Sequence, residues 1–156
     1  MKPADFLNTY GDSIVMGTEG FKLFPSVKAA QMALETSWGE KIKGNNAFGI
    51  KAAGATSPYW KGKTIEFSTT EYINNIKTAV TAVFRNYASL GDSIADHSYF
   101  LAQNKRYTDV LKATTPEDQA KALQAAGYAT DPDYASKLIS IINSNNFKVL
   151  DQKKKL

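Results

Sequence analysis

The feature that most constrains the fold is a helical run, residues 27–36, in which nearly every side is small or apolar. The members of the run that carry this pattern are Val27, Ala29, Ala30, Met32, Ala33 and Leu34. A helix without a broad polar face has to be buried, so we expect it at the centre of the fold. Ser26 is placed to cap its first turn. The run nevertheless ends in a carboxylate, Glu35.

A carboxylate at this position has a chemical interpretation. A carboxyl group held against Met32, Leu34 and Trp38 would lose hydration, which raises its pKa toward the working pH. General acid catalysis requires such a group and typically contributes roughly 100- to 10,000-fold in rate. Trp38 also offers a stacking face for a sugar ring. The alternative is a helix-terminal glutamate that only bonds a backbone amide or Lys41.

The remaining pattern predicts a mostly helical α+β fold. Helical spacing predicts four further helices, over residues 3–16, 89–102, 116–126 and 132–143. Thr115 and Asp131 precede proline and are expected to cap the last two helices, while Gly127 suits the position after the third of the four. Two β-branched segments predict a hairpin that turns around residues 73–76 and leans on the helices.

Length and composition exclude several classes of protein. A chain of 156 residues supports one core, so we expect a single domain over residues 1–156, with a solvated basic tail, 151–156. The absence of cysteine excludes disulfides, thiolate nucleophiles and cysteine metal sites. No apolar run has the roughly 20 residues that cross a bilayer, and the N-terminus does not resemble a secretory signal.

The net charge of +4 favours an anionic partner, either a bacterial wall, a membrane surface or nucleic acid, unless it only keeps the protein soluble. Basic residues are scattered and not interleaved with aromatic ones, which argues against nucleic acid. The one histidine, His97, lacks neighbours at metal-ligand spacing and is expected on a helix surface or between helices. We therefore predict no metal and no cofactor.

Glycoside hydrolysis commonly uses a second carboxylate or the substrate's own acetamido group. The candidates for the carboxylate are Glu66 and Glu71, on the first strand of the predicted hairpin. Five residues apart in an extended strand, these two side chains should face opposite sides of the sheet, so at most one of them can share a site with Glu35. The alternative for each is a solvated strand residue paired with a lysine.

Several stretches carry a family resemblance: AAQMALETSWGEK, NNAFGIKA, GKTIEFSTTEY, FRNYAS and LQAAGYATDPDYASKLISII. They resemble, in order, the motifs of the bacterial N-acetylglucosaminidases, glycoside hydrolase family 73, which include flagellar rod-cap catalytic domains and many wall autolysins. The resemblance implies a lysozyme-like α+β fold with a small β-hairpin lobe. The resemblance implies Glu35 as the general acid and Glu71 as the second carboxylate, with Glu66 as the runner-up. It implies Tyr128 as a phenol that bonds the substrate or positions water. Trp38, Phe48 and Tyr134 are implied to line the groove, although Phe48 is equally suited to core packing.

The function that the resemblance implies is cleavage of the β-1,4 bond between N-acetylglucosamine and N-acetylmuramic acid in peptidoglycan. The alternatives are a muramidase or lytic transglycosylase on the same fold, and a non-catalytic wall-binding module. We expect a monomer that acts on glycan strands, with no nucleic acid and no membrane insertion. Three routes of delivery are open: as a phage lysin, as an antibacterial effector, or as part of a larger protein. Because salt screens the attraction between a basic protein and an anionic wall, high salt should weaken the activity.

Overall fold

The computed structural model describes residues 1–154, apart from the side chain of Tyr72, and this part of the chain combines seven α-helices with one β-hairpin. The helices are α1 (Pro3–Thr18), α2 (Pro25–Thr36), α3 (Leu90–Gln103), α4 (Thr108–Lys112), α5 (Pro116–Ala125), α6 (Tyr134–Ser144) and α7 (Val149–Lys153), with a 3-10 turn over Lys105–Tyr107. The strands are β1 (Thr64–Ile73) and β2 (Ile76–Arg85). The predicted mostly helical α+β class is confirmed. Within residues 1–154, no helix is both long enough and apolar enough to cross a bilayer.

Helix α2 lies at the centre of the helical part, as its sequence predicts. Ten of its twelve residues are buried, and it packs against α1, α5, α6 and α7. Ala29, Ala30 and Met32 are fully inaccessible to solvent. Two polar side chains, Lys28 and Gln31, are buried with them. The helix that ends in Glu35 is therefore held on nearly all sides.

The predicted cap of α2 is wrong. The helix begins at Pro25 after Phe24, and Ser26 already lies inside its first turn. The Asp151 carboxylate of α7 takes the capping role, because it accepts the Ser26 backbone N–H at 2.8 Å and the Ser26 hydroxyl at 2.7 Å. A carboxylate at this position also opposes the positive end of the helix dipole.

The C-terminal segment contacts the rest of the protein through Asp151 and Lys154, while Gln152 and Lys153 between them are exposed. Besides Asp151, the Lys154 amine donates hydrogen bonds to the backbone carbonyls of Phe21 and Leu23, the latter at 2.7 Å. These contacts close the C-terminal segment over the chain that leads into α2. The prediction for the last two positions of the tail concerns residues outside the described range.

The hairpin turns at Asn74 and Asn75, as predicted. Both residues have positive φ, 52° and 65°, which gives the two-residue turn that matches the twist of antiparallel strands. The hairpin leans mainly on the loop before it, and not on the helices as predicted. Its backbone pairs with that loop through Ala52 N–H to Val83 O at 2.9 Å and Arg85 N–H to Ile50 O at 3.0 Å.

A buried carboxylate, Asp96 of α3, ties the same region to the helical part. Asp96 is fully inaccessible and accepts three hydrogen bonds: from the Arg85 guanidinium at 2.9 Å, from the Tyr87 hydroxyl at 2.5 Å and from the Ser57 hydroxyl at 2.5 Å. The Arg85 guanidinium also stacks over the Trp60 ring at 4.3 Å. Because the strand, the loop and α3 meet at one carboxylate, the β lobe has a fixed anchor.

The predicted caps of the later helices are partly correct. The Thr115 hydroxyl accepts the Asp118 N–H at 3.1 Å, and Gly127 ends α5 with a φ of 78°, both as predicted. Helix α6, however, begins two residues later than predicted. Asp131 uses its side chain to accept the Asp133 N–H at 2.8 Å, which makes residues 131–133 a turn before the helix.

Candidate active site

Glu35 occupies the last turn of α2, immediately before a tight left-handed reversal of the chain. Ser37, Trp38 and Gly39 all have positive φ, 51°, 59° and 85°. The Thr36 hydroxyl holds this reversal, since it donates to Met32 O at 2.7 Å and accepts the Gly39 N–H at 2.8 Å. The reversal prevents the helix from continuing and leaves the Glu35 carboxyl at its open end.

The Glu35 carboxyl faces a cleft of about 860 Å³ between the helical part and the β-hairpin. The helical side and the adjoining loop contribute Glu35, Thr36, Glu40, Lys41, Ile42, Lys43, Asn46, Ala47, Gly49 and Lys51, and the hairpin contributes Phe67, Ser68, Thr69, Thr70, Glu71 and Phe84. A cleft of this size between two lobes accommodates an extended ligand. The loop backbone comes close to the carboxyl, because a Cβ built on Gly49 would lie 3.6 Å from Glu35 Oε1.

Loss of hydration raises the pKa of Glu35 above its ordinary value. The direction agrees with the sequence prediction, but the surroundings differ. Met32 is buried in the core, Leu34 is 36% exposed, and Trp38 makes edge-on contacts with the Phe6 and Phe147 rings. The Glu35 side chain lies on the wall of the cleft and is not enclosed by these three residues.

The two carboxylates of the hairpin fall on different faces of β1. Glu71 lines the cleft with Glu35, and its Oε1 lies 2.7 Å from the Lys51 amine. Glu66 is exposed and lies outside the cleft lining. The opposite orientation predicted from strand geometry is therefore present. Of the two candidates, Glu71 shares the cleft with Glu35.

Tyr128 and Tyr134 lie outside the cleft lining and stack on each other, with ring centroids 5.6 Å apart. The Tyr134 hydroxyl accepts a hydrogen bond from the Gln31 amide at 3.1 Å. Burial raises the pKa of both phenols, and the negative charge of Glu35 adds to the rise in each. Both side chains therefore stay protonated at neutral pH and lie within electrostatic range of the acid.

The two other aromatic candidates pack against the interior. Trp38 contacts Phe6 at a centroid distance of 5.4 Å and lies outside the cleft lining. Phe48 is 5% exposed and stacks on the His97 ring at 4.0 Å, which is the core packing left open by the sequence. Their role as groove-lining residues stays a prediction.

Lys28 and Asn46 were not predicted near the site, whereas His97 lies between helices, one of the two positions predicted for it. Lys28 and His97 are each 1% exposed and lie 2.5 Å apart, and His97 reaches the Tyr128 hydroxyl. The available signal was a lysine within an apolar helical run. Asn46 supports the loop in the cleft wall, since its side chain donates to Ile50 O and Arg85 O and accepts the Phe48 N–H. Among residues 1–154, no group of three or more His, Asp and Glu side chains is placed to hold a metal ion.

Similarity to known proteins covers most of the chain. The family model described as mannosyl-glycoprotein endo-beta-N-acetylglucosaminidase matches residues 13–147. The peptidoglycan hydrolase FlgJ of Salmonella typhimurium is 45% identical over 120 residues, which cover 72% of this chain and 37% of that protein. The exo-glucosaminidase LytG of Bacillus subtilis is 33% identical over 142 residues, which cover 86% of this chain and 48% of that protein. The chain thus spans less than half the length of either relative.

Solved structures of related proteins have the same fold as this chain. The catalytic domain of the autolysin Auto from Listeria monocytogenes superposes with a TM-score of 0.80 and 31% sequence identity, over 96% of this chain and 87% of that domain. This likeness confirms the lysozyme-like fold class that the resemblance implied. Since the family model and relatives of this identity each cover most of its length, the chain belongs to the glucosaminidase family described as mannosyl-glycoprotein endo-beta-N-acetylglucosaminidase.

Proposed function

We propose that this chain hydrolyses peptidoglycan as an endo-β-N-acetylglucosaminidase, cutting the β-1,4 bond between N-acetylglucosamine and N-acetylmuramic acid. The observation that carries the proposal is Glu35, a carboxyl group with a raised pKa at the end of a rigid helix and at the wall of a two-lobed cleft. Membership of the glucosaminidase family supports it, as do the names of relatives that are a peptidoglycan hydrolase and an autolysin.

Glu35 is the general acid of the proposed reaction. It donates its proton to the glycosidic oxygen as the bond breaks, while the N-acetylglucosamine ring that holds the anomeric carbon develops oxocarbenium character and the other sugar leaves as an alcohol. The raised pKa serves this step because it increases the fraction of the carboxyl that is protonated at a given pH. The buried helix fixes the position of the acid relative to the bound glycan.

Glu71 is the second carboxylate of the proposed mechanism, with Glu66 as the weaker candidate. Glu71 faces the same cleft as Glu35, and its ion pair with Lys51 holds its side chain at the cleft wall. It activates water or stabilises the reacting carbon, unless the acetamido group of the substrate does so. Glu66 would need the hairpin to turn its exposed face toward the substrate.

Tyr128 is the third proposed catalytic group, a phenol that bonds the substrate or positions water. Its charge coupling to Glu35 supports this assignment. Tyr134 stacks on it and limits the motion of its ring. Direct contacts of Trp38, Phe48 and Tyr134 with glycan are part of the same proposal.

Replacement of Glu35 by glutamine tests the central assignment. The variant keeps the shape of the side chain but has no acidic proton, so we expect a rate loss of roughly 100-fold or more with purified cell walls as substrate. Glu19→Gln makes the same chemical change at an exposed position outside the cleft and is the matched control. Wall clearing by a pure Glu35→Gln preparation at the control rate would exclude Glu35 as the acid.

Product analysis by mass spectrometry tests the bond that is cut. Fragments with a reducing N-acetylglucosamine end support the proposal. Cleavage inside the glycan strand distinguishes an endo enzyme from an exo-glucosaminidase, which is the activity in the name of LytG. Reducing N-acetylmuramic acid would indicate a muramidase, and an anhydro product a lytic transglycosylase. Binding of walls without any product would indicate a wall-binding module.

The proposal also covers the oligomeric state and the biological setting of the protein. We infer that the protein acts as a monomer and lyses bacteria as a phage lysin or a delivered effector. The net charge of +4 supports encounter with an anionic wall. Light scattering of the purified protein tests the monomer, and lysis of intact cells by added protein tests the antibacterial action.

A further inference from the structure

A buried hydrogen-bonded chain runs from Lys28, at the end of the first turn of α2, to the proposed catalytic tyrosine. The Lys28 amine lies 2.5 Å from Nδ1 of His97 on α3, and Nε2 of the same ring lies 2.7 Å from the Tyr128 hydroxyl. Lys28 and His97 are each 1% exposed, whereas Tyr128 is half-buried. The chain therefore begins in the core and ends at the side chain that borders solvent.

The packing around the imidazole leaves it little freedom. Phe48 stacks on one ring face at a centroid distance of 4.0 Å and an interplanar angle of 11°. Tyr128 meets the ring edge-on, at 89°. Because Nδ1 faces Lys28 and Nε2 faces Tyr128, both polar edges of the ring are already engaged. The ring cannot rotate without breaking both hydrogen bonds.

The direction of the two hydrogen bonds depends on the chemistry of lysine. A charged Lys28 has three donors and no acceptor and must donate to Nδ1, whereas a neutral amine also has a lone pair that can accept; donation to Nδ1 is the arrangement that leaves an N–H at Nε2 for Tyr128. A neutral imidazole that accepts at Nδ1 carries its proton at Nε2. Burial lowers the pKa of both His97 and Lys28 well below their ordinary values, so the ring is neutral.

We propose that His97 is a positioning residue that donates Nε2–H to the Tyr128 oxygen and so directs the phenol proton of Tyr128 toward the reaction site. Lys28 sets the tautomer from behind. With one lone pair of its oxygen used by His97, Tyr128 offers its single O–H to substrate or water. The inference rests on the proposed function, because it assigns the geometry of a group that the proposed mechanism uses.

Nuclear magnetic resonance can read the tautomer directly in the unmodified protein. His97 is the only histidine in the chain, so ¹⁵N-histidine labelling gives one pair of ring signals. We expect the Nδ1 signal of an unprotonated nitrogen and the Nε2 signal of a protonated one at neutral pH. The reverse assignment, or protonation at both nitrogens, would overturn the proposal without any variant having to fold.

Two amide variants test the effect on catalysis. In His97→Gln the amide can place an N–H near the position of Nε2, while His97→Asn has the same group on a side chain too short to reach Tyr128. We expect the glutamine variant to keep its kcat within about twofold and the asparagine variant to lose roughly 3- to 10-fold, the range of one ordinary hydrogen bond, with KM unchanged. A purely structural role would lower both variants in proportion to their stability.

The Tyr128→Phe background separates this inference from the proposed function. If His97 acts through the phenol, glutamine and asparagine at position 97 give equal rates once the hydroxyl is absent. A difference that persists there, or equal rates with Tyr128 intact, overturns the inference and leaves the proposed function standing. Wild-type activity of Tyr128→Phe alone would remove the phenol from the mechanism, and the role of His97 with it.

Discussion

Replacement of Gly17 by alanine is expected to destabilise the protein, although alanine is the better helix former. Gly17 lies inside α1 where this helix crosses α3, and the Ser98 hydroxyl of α3 donates to its carbonyl at 2.6 Å. A Cβ on Gly17 would lie 2.4 Å from Ile94 Cγ2 and 3.2 Å from the Ala95 backbone nitrogen. Backbone atoms cannot be displaced by a side-chain rotation, so the helices themselves would have to separate.

Two opposing contributions, helix propensity and overpacking, decide whether the free energy of unfolding rises or falls. Alanine gains about 1 kcal/mol over glycine in helix propensity. Overpacking of a close contact costs about 1–3 kcal/mol, and a contact against a backbone atom belongs at the upper end of that range. We therefore expect a net loss of about 2 kcal/mol for Gly17→Ala. For a protein of this size, this corresponds to a fall in Tm of about 4–8 °C.

Gly11→Ala is the matched control, in the same helix. Its Cβ would lie 3.3 Å from Leu150 Cδ2, the end of a flexible side chain that can move by a few tenths of an ångström. The propensity gain then offsets the contact, and the free energy of unfolding should change by less than about 0.5 kcal/mol. Urea unfolding followed by circular dichroism measures both variants. Equal stability of the two would refute the argument from the helix crossing.

Two further predictions concern the acid and the buried carboxylate. A general acid works only while protonated, so the rate should be highest below the raised pKa of Glu35 and should fall as the pH rises through that pKa. A pH profile of initial rates checks this. A fall in rate centred on the ordinary pKa of glutamate, near 4.5, would contradict it. Asp96→Ala leaves Arg85 without its partner and should lower the free energy of unfolding by about 3–5 kcal/mol in urea titrations. The exposed Asp109→Ala should change it by less than about 0.5 kcal/mol, and a similar loss in both variants would mean that the Asp96 cluster contributes no specific stability.

Local patterns in the sequence were sufficient for the main elements of the fold. The apolar run of α2 predicts its burial because a helix with no polar face has no other stable position. The two β-branched segments predict the hairpin, and the turn at Asn74 and Asn75 follows from the tolerance of asparagine for positive φ. Pro25 at the first position of α2 is a local signal for its start, but the capping carboxylate could not be predicted in this way, because it comes from the distant Asp151.

The candidate site was predictable to the extent that its residues lie in local motifs. Glu35 follows from the end of a buried helix, and the alternation of β1 correctly separates Glu71 from Glu66. The contact of His97 with Lys28 and Tyr128 joins three distant segments, and such a contact leaves no periodic signal. The packing of Trp38 was missed for the same reason, since its partners Phe6 and Phe147 lie at opposite ends of the chain.

The hydrogen bonds between Ser26 and Asp151 have a consequence for folding during translation. The two residues are separated by 125 positions, so the first turn of α2 receives its cap only after residue 151 has been synthesised. Contacts of such long sequence separation form late and slow the search for the native state. A chain synthesised only as far as residue 150 would thus carry Glu35 on a helix whose first turn lacks the Asp151 carboxylate.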